Sequence, residues 1–126
     1  MTNFDNHLFT KEHEWLIIDG DIATIGITDF AQSELGDIIF IELPSSGDIF
    51  IAEEVFGTIE AVKTVADLFM PVAGDIIEVN SEIEDYPDYI NSSPYKKGWI
   101  VKIKLSHTSD LKNLLSYEEY KKLING

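Results

Sequence analysis

Residue types that usually perform chemistry are sparse in this chain of 126 residues. Cys is absent, which excludes disulfides, thiolate metal sites and a cysteine nucleophile, so any thiol chemistry would need an added group. The three histidines, His7, His13 and His107, lack metal-ligand spacing, and His13-Glu14 lacks the second His of a zinc-protease motif. Neither a Gly-rich phosphate loop nor a Gly-x-Ser-x-Gly elbow is present. The common catalytic motifs therefore fit this sequence poorly.

The charge of the chain narrows the class of its partners. There are 23 Asp and Glu residues against nine basic residues, all Lys, for a net charge of −14. Such a charge disfavours nucleic acid and anionic membrane surfaces, and favours protein partners with basic or mixed surfaces. The sequence has no apolar run long enough to span a membrane, no signal-peptide pattern and no Arg-rich transit peptide. We therefore expect a cytoplasmic protein, or one of an organelle matrix if the chain has been trimmed.

Composition and spacing predict a β-rich body. Ile occurs 18 times, and this excess of a β-branched residue favours sheet over helix. Thr28 is expected to cap a short helix that carries Ala31 and Leu35 on one face. The predicted strands cover residues 13–18, 22–27, 37–43, 55–61, 76–79 and 99–105.

A helical tail is predicted to follow this body. Leu111, Leu114 and Leu115 have the spacing of an amphipathic helix. Ser116 and Glu119 have the spacing of a capping box, which would open a second short helix. The buried face of that second helix is predicted to consist of Tyr120, Leu123 and Ile124.

The segment 57–71 is ambiguous by local rules. Its apolar residues recur at near-helical spacing, and Lys63 and Asp67 form an i, i+4 pair. A sheet interpretation needs a turn within the segment, because strands are usually short. No Gly, Asn or Pro lies between Thr58 and Met70 to make that turn. Propensity alone therefore favours a helix here.

Short motifs run along nearly the whole chain. They include His13-Glu-Trp15, Ala23-Thr-Ile-Gly-Ile-Thr-Asp29, Glu60-Ala-Val-Lys63, Pro71-Val-Ala-Gly74 and Ile90-Asn-Ser-Ser-Pro-Tyr95. In this order they closely resemble the H-protein family of the glycine cleavage system. The resemblance implies one domain over 1–126 with a lipoyl-type fold, a flattened β sandwich or barrel hybrid. An N-terminal strand extension and a C-terminal helical addition at about 108–125 would complete this domain. The resemblance also implies that 57–71 is a β-hairpin turning at about 62–64.

The resemblance further implies a modified lysine. Lys63 would lie at the hairpin tip and carry lipoate through an amide bond, and its flexible stem would let the attached group swing. Glu60 and Val62 would be read by the lipoylating enzyme. Biotinyl domains usually have Met on both sides of their lysine, whereas Val62 and Thr64 flank Lys63 here, which disfavours biotin.

A cleft for the loaded arm is also implied. In the family the lipoyl arm folds into a surface cleft while it carries an aminomethyl group, whose nitrogen is cationic near neutral pH. Glu14 and Asp67 match acidic family positions near that cleft. Because the chain has 23 acidic residues, each of the two is equally well explained as an ordinary surface charge.

The expected function is a carrier rather than an enzyme. The arm would take an aminomethyl group from the P protein, a pyridoxal-phosphate glycine decarboxylase, to the T protein, an aminomethyltransferase. The L protein, dihydrolipoyl dehydrogenase, would reoxidise it, and a lipoylating enzyme would install it. The alternatives are an H-like carrier that serves lipoyl relay to other complexes, and an unmodified binding module or small hydrolase.

Overall fold

The computed structural model describes residues 3–125, which form mainly antiparallel strands with short helices. The strands are β1 His7–Phe9, β2 Glu14–Asp19, β3 Ile22–Ile27, β4 Ile38–Glu42, β5 Ile49–Phe50, β6 Val55–Ala61, β7 Val65–Phe69, β8 Gly74–Val79 and β9 Val101–Leu105. The helices are α1 Asp29–Leu35, α2 Glu82–Asp85, α3 Tyr89–Ser92 and α4 Tyr117–Asn125, and a 3-10 helix covers Thr108–Asn113. The predicted mainly β fold with short C-terminal helices is confirmed. None of the described helices is long and apolar enough to cross a membrane.

The strands form two sheets that share one core. The larger sheet has the order β1-β2-β3-β9-β8-β5, and the smaller has the order β4-β6-β7. One buried cluster includes Ile25 and Ile103 of the larger sheet together with Ile41 and Ile59 of the smaller one. The two sheets therefore pack against each other as a sandwich, and they are not closed into a barrel.

Two strands, β1 and β5, could not be predicted from the sequence because they are very short. The bounds of β3 and β6 match the predicted strands, and β2, β4, β8 and β9 differ from theirs by one or two residues at an end. In contrast, β1 has three residues and β5 has two. Such lengths are too short to show the apolar–polar alternation that identifies a strand.

The predicted helix through Leu111, Leu114 and Leu115 is wrong. The 3-10 helix ends before Leu114, and Leu115 is extended. The backbones of Leu115 and Phe9 exchange two hydrogen bonds, each 2.8 Å long. Pairing with β1 satisfies the backbone groups of Leu115, so this residue forms an extended break between the 3-10 helix and α4.

The predicted capping box is confirmed. The Ser116 backbone N–H donates to Glu119 Oε1 at 2.9 Å, and the Glu119 backbone N–H donates to Ser116 Oγ at 3.2 Å. This arrangement satisfies two free donors at the start of α4. Tyr120 is buried and Ile124 is half-buried, as predicted, whereas Leu123 is exposed, so the buried face is narrower than predicted.

Candidate functional site

The segment 57–71 is a β-hairpin, as predicted. The Ala61 backbone N–H donates to the Thr64 carbonyl at 2.8 Å and closes a turn around Val62 and Lys63. The Val62 backbone N–H donates to the Asp37 carbonyl at 2.9 Å, which ties this tip to the residue before β4. No residue of the turn has a positive φ, so its backbone is open to ordinary residues. The turn therefore forms without the Gly or Asn that sequence reasoning looked for.

Lys63 is exposed at the tip, and its stem lies across the end of α1. A Cβ atom added to Gly36 would lie 3.3 Å from Lys63 Cε and 3.8 Å from Lys63 Nζ. Gly36 follows α1 with φ 80° and ψ −154°, a conformation that Gly adopts far more readily than other residues. Glu60 and Val62, the two predicted recognition residues, are also exposed. The tip therefore presents Lys63 and both of these residues to solvent.

A cleft of about 310 Å³ lies between α1 and the β2, β3, β6 and β7 strands. Its lining is apolar at Ile27, Phe30, Ala31, Leu35, Ile59, Ala66 and Leu68, and polar at Glu12, His13, Glu14, Glu34 and Asp67. The structure thus brings Glu14 and Asp67 together on one cleft. Lys63 is outside the lining, but its stem lies beside Gly36, which directly follows the lining residues Glu34 and Leu35.

Glu14 is a buried carboxyl group with one free oxygen. Its side chain is 2% exposed, and its Oε1 accepts a hydrogen bond from Thr10 Oγ1 at 3.3 Å. Its Oε2 is buried and has no hydrogen-bond partner. Burial raises the pKa of Glu14 to about 8, and the charge of Glu12 adds to this, although the hydrogen bond from Thr10 opposes it. Glu14 is therefore mostly neutral at pH 7.

Asp67 lines the same cleft in a different environment. It lies on β7 opposite Thr58 of β6, and it is exposed to solvent. Its carboxylate can therefore remain hydrated. The cleft thus combines an exposed carboxyl group with a buried one that is mostly neutral.

His13 belongs to a hydrogen-bonded network that sequence reasoning missed. Its backbone has φ 67°, and its Nδ1 lies 2.9 Å from the Tyr120 hydroxyl. That hydroxyl lies 2.7 Å from Thr28 Oγ1, which in turn accepts from the Ala31 backbone N–H at 3.2 Å, so the predicted Thr28 cap is confirmed. Burial lowers the pKa of His13, against the charges of Glu12 and Glu34. The capping box gave a signal for helix α4, but no local signal relates Tyr120 to His13.

Comparisons with known proteins agree on one family. A family model described as "Glycine cleavage H-protein" matches residues 7–126. The glycine cleavage system H protein of Halalkalibacterium halodurans is 51% identical over 126 residues, covering 99% of this chain and 98% of the relative. That of Bacteroides fragilis is 49% identical over 125 residues, covering 98% and 99%. The crystal structure of a glycine cleavage system H protein from Mycobacterium marinum, 34% identical, matches with a TM-score of 0.88 over 97% of this chain and 98% of that one.

Proposed function

This chain belongs to the glycine cleavage H-protein family, the lipoyl carrier of the glycine cleavage system, and on that premise we propose that Lys63 is its lipoylated residue. The observation that carries the proposal is the position of Lys63, exposed at a hairpin tip with its stem beside a cleft. Of the nine lysines, Lys63 alone follows the Glu-Ala-Val sequence. A tip lysine can be reached by a modifying enzyme and by several partners in turn.

The residues present fit a lipoyl arm. The cleft is lined largely by apolar side chains, which suit a hydrocarbon chain, and Glu14, whose buried Oε2 has no hydrogen-bond partner, is one of its lining residues. When attached, lipoate supplies a disulfide that opens and closes and a sulfur that holds the one-carbon unit. Lys63 supplies the flexible stem, and Gly36, having no side chain, leaves room for it. A chain without Cys can thereby serve redox chemistry.

Glu14 is suited to receive a cationic group. A protonated amine in the cleft would give Oε2 a hydrogen-bond donor and a neighbouring positive charge. An opposite charge favours the ionised carboxylate, so the pKa of Glu14 would fall and its proton would pass to solvent. The cationic nitrogen of an aminomethyl cargo would then be held by a charge-assisted hydrogen bond and shielded from water by the apolar lining.

The proposed partners follow from this carrier role. The P protein would provide the aminomethyl group, the T protein would remove it, and the L protein would reoxidise the arm. A lipoylating enzyme would recognise the exposed Glu60 and Val62 beside Lys63. In this scheme the chain itself binds, positions and shields the cargo, and the partner enzymes perform the chemistry.

Mass spectrometry tests the assignment of Lys63. The wild-type chain, Lys63→Arg and the control Lys96→Arg are expressed in a host supplied with lipoate, and their intact masses and peptides are compared. Wild type and Lys96→Arg should gain one lipoyl group at Lys63, and Lys63→Arg should gain none. Because Lys63 and Lys96 are both exposed, each variant should keep its free energy of unfolding within about 0.5 kcal/mol of wild type. A lipoyl group on another residue, or an unmodified wild type, would refute the proposal.

A further inference from the structure

Strand β4 exposes two consecutive apolar side chains. Its register with β6 shifts between Ile38 and Phe40, which marks a β-bulge. Ile38 and Ile41 are buried, whereas Ile39 and Phe40 are each 53% exposed. A bulge accounts for this pattern, because two residues of the bulged strand there oppose one residue of its partner. The outward surface of the smaller sheet thus carries one more large apolar side chain than regular alternation would give.

Further exposed apolar side chains lie on the hairpin that carries the lysine. Phe40 pairs with Glu60 and Glu60 pairs with Val65, so the three residues form one row across the sheet. Val65 is 60% exposed, and Val62, at the turn beside Lys63, is 72% exposed. We name Ile39, Phe40, Val62 and Val65 the tip patch. Phe40 and Val65 of this patch flank Glu60, and exposed large apolar side chains grouped near one site mark interaction surfaces.

We propose that the tip patch is the docking surface for the enzyme that attaches lipoate to Lys63, an inference that rests on the proposed function. In that step the Nζ amine attacks an activated lipoyl carboxyl, such as an acyl adenylate, forms the amide and releases the nucleotide and a proton. The reacting nitrogen is only a four-carbon stem from the hairpin backbone. An enzyme that reaches it must therefore cover the surface around the tip.

The position of the reacting atoms distinguishes the lipoylating enzyme from the enzymes that use the loaded arm. Those partners react at the sulfur atoms, which lie at the far end of the arm from Nζ. These partners can therefore react with the arm without covering the hairpin, so they need not desolvate the tip patch. The modifying enzyme reacts at Nζ and must bind close to the hairpin. The apolar side chains beside Lys63 are available to supply its binding energy.

The acidic charge around the tip patch also restricts which proteins can bind there. Lys63 is the sole lysine in the smaller sheet and its hairpin turn, whereas Glu42, Glu60 and Asp67 lie on the strands of that sheet. Two copies of a chain with net charge −14 would face each other with like charges, so self-association through the patch is disfavoured. The fitting partner presents an apolar centre to the tip patch and basic groups to Glu60.

A matched pair of double variants tests the inference. Ile39→Thr/Phe40→Thr removes half of the tip patch and keeps residues that suit a strand. Ile49→Thr/Ile51→Thr is the control, because Ile49 and Ile51 are 71% and 66% exposed and lie outside the smaller sheet. Initial rates of lipoylation of the unmodified proteins by a purified lipoate–protein ligase, with ATP and lipoate, are followed by intact mass over a range of carrier concentrations.

We expect kcat/KM for the carrier to fall about tenfold in the tip-patch variant, mainly through KM, and to stay within about twofold in the control. Val65→Thr, a milder second variant, should show a smaller fall in the same direction. Urea unfolding verifies that each variant is folded. After prolonged incubation has lipoylated all variants fully, their use by the P protein in glycine–bicarbonate exchange should agree within about twofold.

The outcomes separate this inference from the proposed function. A wild-type chain that gains no lipoyl group refutes both. A lipoylated wild type with kcat/KM unchanged in the tip-patch variant and in Val65→Thr refutes the docking surface alone. Normal lipoylation combined with a loss in the exchange reaction would assign the patch to the P protein and overturn the partner named here.

Discussion

The strands behind the cleft and the hairpin tip beside it are built in opposite ways. In the β2–β3 pair, Trp15 is 1% exposed, lies opposite Gly26 and donates its indole Nε1–H to the Pro94 carbonyl at 3.0 Å. At the tip, Val62 and Lys63 are exposed, and backbone hydrogen bonds from their neighbourhood hold the turn. The first region is fixed by packing, and the second leaves its side chains free.

This difference matches what each region would have to do under the proposed function. The cleft has to keep its shape whether or not an arm lies in it, and close-packed interiors resist deformation. The tip has to be accessible to several enzymes, so its side chains cannot be buried within the chain itself. Substitutions in the β2–β3 pair should therefore change folding stability, whereas substitutions at the tip should change recognition.

The largest expected effect on stability is that of Gly26→Ala. A Cβ atom at residue 26 would lie 2.6 Å from Cε2 and Cζ2 of Trp15, and the indole is held by its bond to Pro94. Overpacking of this kind should lower the free energy of unfolding by about 3 kcal/mol, as measured by urea denaturation. Gly20→Ala is the control, because Gly20 has φ 64° and open space around it. It should lose about 1 kcal/mol through backbone strain alone. Equal losses in the two variants would contradict the packing account.

The contrast between the packed strands and the hairpin tip also explains which parts of the fold could be predicted from the sequence. The β3 strand could be predicted because turn residues at Gly20-Asp21 precede it and β-branched residues fill it. The hairpin could not be predicted locally, because the tip turn has no positive φ and hence no marker residue. Resemblance to a family supplied it instead. Family resemblance also placed Glu14 near a cleft, but the strong burial of Glu14 depends on tertiary packing that no local pattern shows.

Glu14→Gln should raise stability in a pH-dependent way. The folded-state pKa of Glu14 is about 8 against an ordinary value of 4.5, so between these pH values the folded chain binds more protons than the unfolded chain. Its contribution to the free energy of unfolding therefore falls as pH rises through this window. Gln is always neutral, so the variant should exceed wild type by roughly 2 kcal/mol at pH 6 in urea denaturation, with the difference vanishing below about pH 4.5.

The exposed Asp67 is the control for this experiment. Asp67→Asn changes an acid on the same cleft without removing a buried charge, so the free energy of unfolding should change by less than about 0.5 kcal/mol at both pH values. If Asp67→Asn matched Glu14→Gln, or if the effect of Glu14→Gln were independent of pH, the contrast between the two carboxyl groups would be wrong.

Tyr120→Phe should have a smaller effect on stability. It removes the hydroxyl that lies within hydrogen-bond distance of His13 Nδ1 and Thr28 Oγ1. The free energy of unfolding should fall by about 1 kcal/mol. Amide hydrogen exchange at Ala31 should also become faster, because the Thr28 cap at the start of α1 loses its support. Tyr117→Phe, in the same helix, serves as control; unchanged exchange at Ala31 in Tyr120→Phe would contradict the proposed coupling of α4 to the cleft wall.

The smallest expected effect concerns long-range attraction between the acidic surface and the P protein. Attraction of this kind speeds association and is screened by salt, with a screening length that falls from about 30 Å at 0.01 M to about 8 Å at 0.15 M. The apparent KM for the fully lipoylated carrier in glycine–bicarbonate exchange should therefore rise, by about two- to threefold, over this range. Exposed Glu60 and Asp67 lie on the hairpin, so Glu60→Gln/Asp67→Asn should flatten the rise. Glu14→Gln should not flatten it, because Glu14 is buried and mostly neutral at pH 7, and neither should Glu118→Gln on α4. A KM insensitive to salt, or the same flattening in all three variants, would contradict a specific role of the hairpin carboxylates in attracting the P protein.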